Sequence, residues 1–101
     1  AHITGGGLPG NLPRALPAAL AAAVDPGSWP LPSIHRLVAG LAGLAGPEVR
    51  ATFNGGLGMV AVVPEIAEGL ALETLAGRGI PAWTVGQVVE AAGGPRYREV
   101  A

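Results

Sequence analysis

The feature that most constrains this chain is a run of three glycines, Gly5–Gly7, close to its N-terminus. Ordering consecutive glycines is costly, because glycine loses more backbone freedom on folding than any other residue. A short apolar segment at Ile3 precedes the run, and Asn11 follows the run as a candidate helix cap. We therefore predict an extended segment, a loop and a helix start, in that order.

A loop of this kind suits an anion, because bare backbone N–H groups can converge there and a helix start adds partial positive charge. A plain tight turn or a flexible linker is the alternative interpretation. The run fits neither the dinucleotide-binding pattern nor the P-loop, and the chain has no lysine for the latter. A phosphate cradle at the glycine run is thus a hypothesis that the spacing allows but does not establish.

The length and charge of the chain exclude several classes of protein. At 101 residues it is one small domain or part of a larger protein. Its net charge of −1 does not indicate the basic surface that is typical of a nucleic-acid-binding protein. No run of about eighteen apolar residues occurs, so we expect no membrane span. The absence of cysteine excludes disulfides and thiolate zinc sites.

The apolar content is high for so short a chain, with 50% hydrophobic and only 13% charged residues. Small domains bury a smaller fraction of their surface than large ones. We therefore expect part of this apolar surface to meet another domain or subunit, or to be satisfied by self-association. The composition suggests a piece of a larger protein.

The apolar spacing predicts a single α+β domain over residues 1–101, an α/β sandwich with helices on one face of a mixed or antiparallel sheet. Three helices are predicted, and two of them carry an apolar stripe. They run from Asn11 to about Leu16, from Pro32 or Ser33 to Gly43 (stripe Ile34, Leu37, Val38, Leu41), and from Pro64 to Gly77 (buried stripe Ile66, Ala67, Leu70, Ala71, Leu75).

Five strands complete the predicted domain, and the first is the short apolar segment at Ile3. Residues 18–25 fit either a helix or a strand, and we favour a buried strand that ends at Val24. Met59–Val63 gives the clearest strand pattern, a continuous apolar run typical of a central strand buried on both faces. Ile80–Val89 follows, and Tyr97–Val100 is predicted to pair back as a last antiparallel strand.

Few side chains in this sequence can carry chemistry. His2 precedes the glycine run, where a histidine can serve as general acid or base or donate a hydrogen bond to a substrate. A terminal histidine without a role is an equal alternative. Asn54 can present its amide to a ligand, although a turn before Gly55 and Gly56 is the favoured interpretation. His2 and His35 are the two histidines, and no acid is suitably spaced, so we predict no metal site.

Four segments carry a family resemblance when they are taken together. They are residues 1–8 (AHITGGGL), 11–17 (NLPRALP), 50–59 (RATFNGGLGM) and 82–86 (AWTVG). In order and separation they resemble the C-terminal part of phosphoribosylformylglycinamidine cyclo-ligase, the aminoimidazole ribonucleotide (AIR) synthetase family. One departure is Gly55, where relatives usually carry Met or Cys, so we expect different packing in that loop.

The resemblance implies a purine-biosynthesis ligase of the cytoplasm. The family uses ATP to activate the formyl amide oxygen of formylglycinamidine ribonucleotide, and an internal nitrogen then closes the imidazole ring. It further implies that the missing N-terminal domain supplies most contacts to ATP and Mg²⁺ and the main homodimer interface. On this resemblance we also expect the first part of the C-terminal domain to be absent. We therefore expect the fragment alone to be inactive and to bind no cofactor.

The resemblance also assigns roles to individual residues in the cleft between the two domains of the family enzyme. Thr4, Gly5, Gly6 and Gly7 are assigned to the substrate phosphate or an adjoining polar group. His2 is the catalytic candidate, with a polar or proton-transfer role near the formyl amide. Asn54 is a weaker substrate-binding candidate. Arg14 can pair with the phosphate, although an ordinary surface or interdomain salt bridge is favoured.

Two alternative functions stay open at this point. The superfamily includes formylglycinamidine ribonucleotide synthase, selenophosphate synthetase and thiamine-phosphate kinase, which also use ATP to activate an acceptor. The segments Asn11–Arg14 and Thr52–Asn54 favour the cyclo-ligase over these. The other alternative is a non-catalytic module that binds a phosphorylated effector or mediates assembly. The expected partners are the small-molecule substrate and the missing N-terminal domain, with neither nucleic acid nor membrane.

Overall fold

A computed structural model describes residues 1–100, in which a three-stranded mixed sheet is combined with four α-helices. The strands are β1 (Leu20–Val24), β2 (Gly86–Glu90) and β3 (Tyr97–Glu99). The helices are α1 (Gly7–Asn11), α2 (Ser33–Ala42), α3 (Gly46–Thr52) and α4 (Glu68–Gly77). Short 3-10 turns lie at Leu12–Ala15, Pro26–Ser28 and Glu65–Ala67. The predicted α+β class is confirmed.

β1 is the central strand of the sheet and is buried along Ala21–Val24. It pairs antiparallel with β2, where Ala22 lies opposite Val88, and parallel with β3, where Ala22 lies opposite Tyr97. The prediction of an antiparallel last strand was wrong. β3 does reverse direction relative to β2, as its turn requires, but β1 lies between them and is the strand with which β3 pairs.

A second, smaller ribbon joins the N-terminus to residues 58–60. Ala1 and Val60 exchange backbone hydrogen bonds, at 2.6 Å and 2.8 Å, and His2 bridges Met59 in antiparallel register. The N–H of Ile3 donates to the carbonyl of Gly58 at 2.9 Å. This ribbon brings the segment before the glycine run against the segment after the second glycine cluster.

The predicted central strand at Met59–Val63 is wrong beyond this ribbon. Residues 61–63 form no strand pairing within residues 1–100, and Met59 is 73% exposed. The apolar run has the composition of a buried strand. However, nothing among residues 1–100 lies on both sides of it to complete the hydrogen-bond ladder and cover its side chains.

α2 forms where it was predicted, and α4 covers its predicted range only from Glu68 onward; both helices bury little. α2 ends at Gly43, whose φ of 68° is the left-handed conformation that closes helices, and its N–H bonds the carbonyl of Ala39. The stripes on α2 and α4 stay largely exposed, and Ile66 is 97% exposed. The buried stripe predicted for α4 is therefore wrong. None of the helices in residues 1–100 is long and apolar enough to cross a bilayer.

Other boundaries differ from the prediction by several residues. The first helix begins at Gly7 rather than at Asn11, because Gly6 takes a φ of 92° and turns the chain early. The strand predicted from Ile80 begins only at Gly86. A Cβ on Gly86 would overlap the carbonyl oxygen of Ala23, so the close approach of β1 and β2 requires glycine there.

The hydrophobic core lies beneath α1 and β1. Its buried members come from the N-terminal segment, β1 and the second glycine cluster: Ile3, Leu8, Leu12, Leu16, Ala22, Val24, Trp29 and Leu57. Burial of each large aliphatic member stabilises the fold by roughly 1.5–3 kcal/mol. This core fixes both ends of the glycine run, since Ile3 precedes it and Leu8 follows it.

Candidate functional site

The two glycine clusters of the sequence lie side by side in the structure. Because Ile3 bonds Gly58, the loop Thr4–Gly7 and the turn Asn54–Leu57 leave the ribbon at the same end. The carbonyl oxygen of Phe53 lies 2.6 Å from where a Cβ on Gly7 would stand. The structure thus brings the turn that carries Asn54 next to the residues assigned to the substrate phosphate.

Asn11 holds the glycine loop in shape, a role that the sequence analysis missed. Its side chain is buried, and its Nδ2 donates to the carbonyl of Gly7 at 2.7 Å and to those of Thr4 and Gly5 at 3.2 and 3.3 Å. The hydroxyl of Thr4 donates to Asn11 Oδ1 at 3.1 Å. The predicted cap does not form, because the side chain of Asn11 bonds back to the loop instead of forward into a helix.

This arrangement leaves backbone donors of the loop free. The N–H of Gly7 bonds the carbonyl of Thr4 at 3.0 Å, whereas the N–H groups of Gly5 and Gly6 have no acceptor within residues 1–100. The carbonyl oxygens of the loop would repel an anion, but Asn11 donates hydrogen bonds to them. The N–H donors of the loop stay available. A loop with these properties can receive an anion.

Two of the three glycines are required by the fold, each for a different reason. A Cβ on Gly7 would overlap the carbonyl oxygen of Arg50, so this position needs glycine for packing against α3. Gly6 has a φ of 92°, which side chains rarely adopt, so it needs glycine for the turn. Gly5 has no atom within 4 Å of its Cβ position and faces open space. The fold itself therefore does not explain why residue 5 is a glycine.

His2 lies beside the loop, in a shallow cavity of about 260 Å³. The cavity is lined by Ala1, His2, Asn11, Arg14 and Ala15. Asn11 belongs both to this cavity and to the loop, so the two features adjoin. Arg14 is exposed and forms no ion pair within residues 1–100, which leaves a free positive charge beside His2.

Asn54 mainly serves its own turn. Its Oδ1 accepts from the N–H of Gly56 at 2.8 Å, and its carbonyl accepts from the N–H of Leu57 at 3.1 Å. The indole of Trp29 donates to the carbonyl of Gly55 at 3.0 Å and anchors the turn to the core. The interpretation of Asn54 as a turn residue fits this geometry, which leaves the amide nitrogen for a ligand.

Gly55, the departure from the family pattern, is buried with a φ of 66°. A Cβ there would lie 3.4 Å from Cγ of Arg50 and 3.8 Å from the indole of Trp29. The space next to this glycine is therefore filled by the side chain of Arg50.

Arg50 forms an ion pair beneath the site that sequence analysis did not find. Its Nε and Nη2 bond the Glu99 carboxylate at 2.5 and 2.7 Å, and the hydroxyl of Tyr97 donates to the same carboxylate at 2.8 Å. The Arg50 guanidinium lowers the pKa of Glu99, while burial and the bond to Glu99 raise the pKa of Tyr97. No local signal marks this pair, because its members are 49 residues apart.

The donor set of these residues does not suit a metal. Within residues 1–100 no three His, Asp or Glu side chains lie close enough to hold a metal ion. The chemistry offered here is that of N–H donors, one imidazole and one guanidinium.

Comparison with known proteins identifies the family. Residues 1–97 match the family described as AIR synthase related protein, C-terminal domain. The phosphoribosylformylglycinamidine cyclo-ligase of Synechococcus elongatus is 46% identical over 92% of this chain, and that of Anaeromyxobacter dehalogenans (strain 2CP-1) is 50% identical over 94%. This chain spans 27% of the length of each. The chain therefore belongs to the family of the AIR synthase related protein, C-terminal domain.

Proposed function

We propose that this chain is the C-terminal, substrate-binding portion of a phosphoribosylformylglycinamidine cyclo-ligase. The support is an identity of 46–50% to relatives of that name across about nine-tenths of the chain. In this proposal the loop Thr4–Gly7 binds the phosphate of formylglycinamidine ribonucleotide. The observation that carries the proposal is the pair of free N–H groups at Gly5 and Gly6 on a loop that Asn11 holds in shape.

The binding would rest on backbone donors and one positive charge. A phosphate dianion accepts several hydrogen bonds, and charge-assisted bonds of this kind are about twice as strong as neutral ones. Because the loop is held before the ligand arrives, little backbone entropy remains to be lost on binding. Arg14 borders the adjoining cavity and adds charge complementarity.

His2 is proposed to act on the reacting end of the substrate. It lies in the cavity next to the loop, so a substrate whose phosphate is held at Gly5 and Gly6 can extend toward the imidazole. There the imidazole holds or moves a proton near the formyl amide. ATP supplies the activation of the formyl oxygen. We propose that ATP and Mg²⁺ bind parts of a cyclo-ligase outside residues 1–101, and that this chain alone is inactive.

Calorimetric titration with formylglycinamidine ribonucleotide tests the proposal. Gly5→Val adds a side chain next to the free donors, and nothing of the fold lies within 4 Å of its Cβ position. Gly69→Val, also in open space but on α4, is the matched control. We expect Gly5→Val to weaken binding about tenfold or more, and Gly69→Val to bind like the wild type.

The histidine is tested in the same titration. His2→Ala should retain most of the affinity if the imidazole acts in the reaction rather than in phosphate binding. Equal binding by wild type and Gly5→Val would contradict the phosphate assignment. If no variant binds, the same substitutions at the matching positions of a full-length relative decide whether the cleft needs the remainder of the enzyme.

We also propose that the exposed apolar surface of α2, residues 59–63 and α4 is covered by the rest of a cyclo-ligase, including its N-terminal domain. The support is that the relatives are much longer than this chain, which spans 27% of their length. In such an enzyme the reaction would take place in a cleft between domains, in the cytoplasm and in a homodimer. The chain alone should then self-associate through this surface.

A further inference from the structure

Arg50 lies where three parts of the molecule meet. Its guanidinium bonds Glu99 on β3, through Nε at 2.5 Å and Nη2 at 2.7 Å. Its main-chain carbonyl lies against Gly7 so closely that no Cβ fits between them. Its Cγ lies 3.4 Å from the Cβ position of Gly55, in the neighbouring turn. One residue therefore contacts the sheet, the glycine loop and the turn of Asn54.

The ion pair is largely buried, and both a further hydrogen bond and the pairing of β3 hold Glu99 in place. The side chains of Arg50 and Glu99 are 16% and 20% exposed, and the Tyr97 hydroxyl donates to Glu99 at 2.8 Å. Tyr97 and Glu99 belong to β3, which pairs with the central strand β1. Removing one partner of a sheltered ion pair leaves the other uncompensated, so this network resists separation of α3 from the sheet.

α3 packs on α1, but little besides the ion pair holds it to the sheet. Val49 is the buried residue of this helix, and the neighbouring Ala51 and Thr52 are exposed. A short helix with one buried side chain belongs to the regions that open locally at low cost. The ion pair through Arg50 therefore supplies a large share of what fixes α3 against the sheet.

We infer that Arg50 and Glu99 are positioning residues for the glycine loop. By fixing α3 to β3 they set the place of the Arg50 carbonyl, against which Gly7 packs, and so the direction of the free N–H groups of Gly5 and Gly6. The consequence for phosphate binding rests on the proposed function. The control of loop order by the ion pair does not.

Residue-resolved amide hydrogen exchange tests the positioning role. The reporters are the N–H groups of Gly7 and Gly10, which bond the carbonyls of Thr4 and Gly6, and the reference is Ala22 on β1, which bonds Arg96. Glu99→Gln should accelerate exchange of Gly7 and Gly10 about tenfold or more while Ala22 changes little. Equal acceleration at all three, or no acceleration, would overturn the inference.

Two further variants separate positioning from a general loss of charge. Arg98→Met is the matched control, because Arg98 also lies on β3 but bonds the carbonyls of Pro95 and Ala91 instead of α3. It should leave Gly7 and Gly10 unchanged. The swapped pair Arg50→Glu with Glu99→Arg should restore part of the protection that each single variant loses. Failure of that rescue together with an effect of Arg98→Met would overturn the inference.

Titration with formylglycinamidine ribonucleotide then tests the functional consequence. If Glu99→Gln weakens binding while its Ala22 exchange stays unchanged, the ion pair positions the loop for the ligand. If the loop loosens and the affinity is unchanged, positioning for binding is contradicted. If Gly5→Val fails to weaken binding of the wild-type chain, the proposed function fails, and the exchange data still decide the role of the ion pair.

Discussion

Two apolar regions of this small protein differ sharply in how far they are buried. Leu8 on α1 is 0% exposed, whereas Leu70 on α4 is 68% exposed. Both are leucines on helices, but only Leu70 belongs to a stripe of helical apolar spacing. The difference teaches that spacing predicts which side of a helix is apolar, but not whether another part of the chain is there to cover it.

The reason lies in what each region contacts. The region around α1 and β1 gathers segments from distant parts of the sequence, including Ile3, Trp29 and Leu57, into one core. α4 contacts mainly the 3-10 turn Glu65–Ala67 that precedes it. The first region is therefore stabilised by its own chain, and the candidate site lies on it. The second presents an apolar surface that is available to a partner.

The largest expected effect on stability comes from a substitution in the buried region around α1 and β1. Gly7→Ala would place a Cβ on the carbonyl oxygen of Arg50 in a backbone conformation that alanine rarely adopts. We expect it to cost about 4 kcal/mol or more in free energy of unfolding, or to abolish folding. Gly5→Ala is the control, with an expected change within about 0.5 kcal/mol. Chemical denaturation measures both, and similar stabilities would refute the close packing of α1 on α3.

The next effect compares the two regions directly. Leu8→Ala should destabilise the fold by about 2–5 kcal/mol, because it leaves a cavity in the core. Leu70→Ala should change the free energy of unfolding by no more than about 0.5 kcal/mol. The measurement is urea denaturation at low protein concentration. An equal cost for both would mean that α4 packs against something in solution and that the contrast between the regions is wrong.

A smaller effect is expected from acid. Arg50 lowers the pKa of Glu99 in the folded chain below the ordinary value of 4.5. The ion pair therefore contributes stability above that ordinary pKa, and the contribution is lost as the pH falls through the lowered value. Wild type should exceed Glu99→Gln by about 1–2 kcal/mol at neutral pH, with the gap closing in acid. A gap that is independent of pH in thermal melts would contradict this linkage.

The smallest effect concerns the uncovered surface. Sedimentation velocity should show weak self-association of the chain as its concentration rises. The double variant Ile66→Gln with Leu70→Gln should shift the distribution toward monomer, because both side chains are exposed on the surface around α4. A wild-type chain that stays strictly monomeric at high concentration would contradict the proposal that this surface takes a partner.

Local chemistry made part of the fold predictable from sequence. The end of β1 at Val24 and the end of α2 at Gly43 follow from a turn sequence and a glycine cap, and both are confirmed. The family was also predictable, because four short segments in the right order carry its pattern, and the match over residues 1–97 confirms it. The site roles of His2 and Thr4–Gly7 stay predictions.

Nonlocal contacts account for what sequence could not give. The insertion of β1 between β2 and β3 decides the direction of the last pairing, and no short motif encodes it. Asn11 was predicted as a cap since its residue type suits one, yet its side chain reaches back to Gly7. The partner of Arg50 is invisible in a local pattern, because the contact exists only once α3 and β3 have met.

The measurement that tests the central claim most directly is an amide chemical-shift titration of the wild-type chain with formylglycinamidine ribonucleotide. The account predicts that the N–H signals of Gly5 and Gly6 shift most, followed by signals around His2 and Arg14, while α4 stays unchanged. The same titration on Gly5→Val should lose those shifts. Largest shifts on α2 or α4, or an unchanged response in Gly5→Val, would contradict the assignment of the glycine loop to the substrate phosphate.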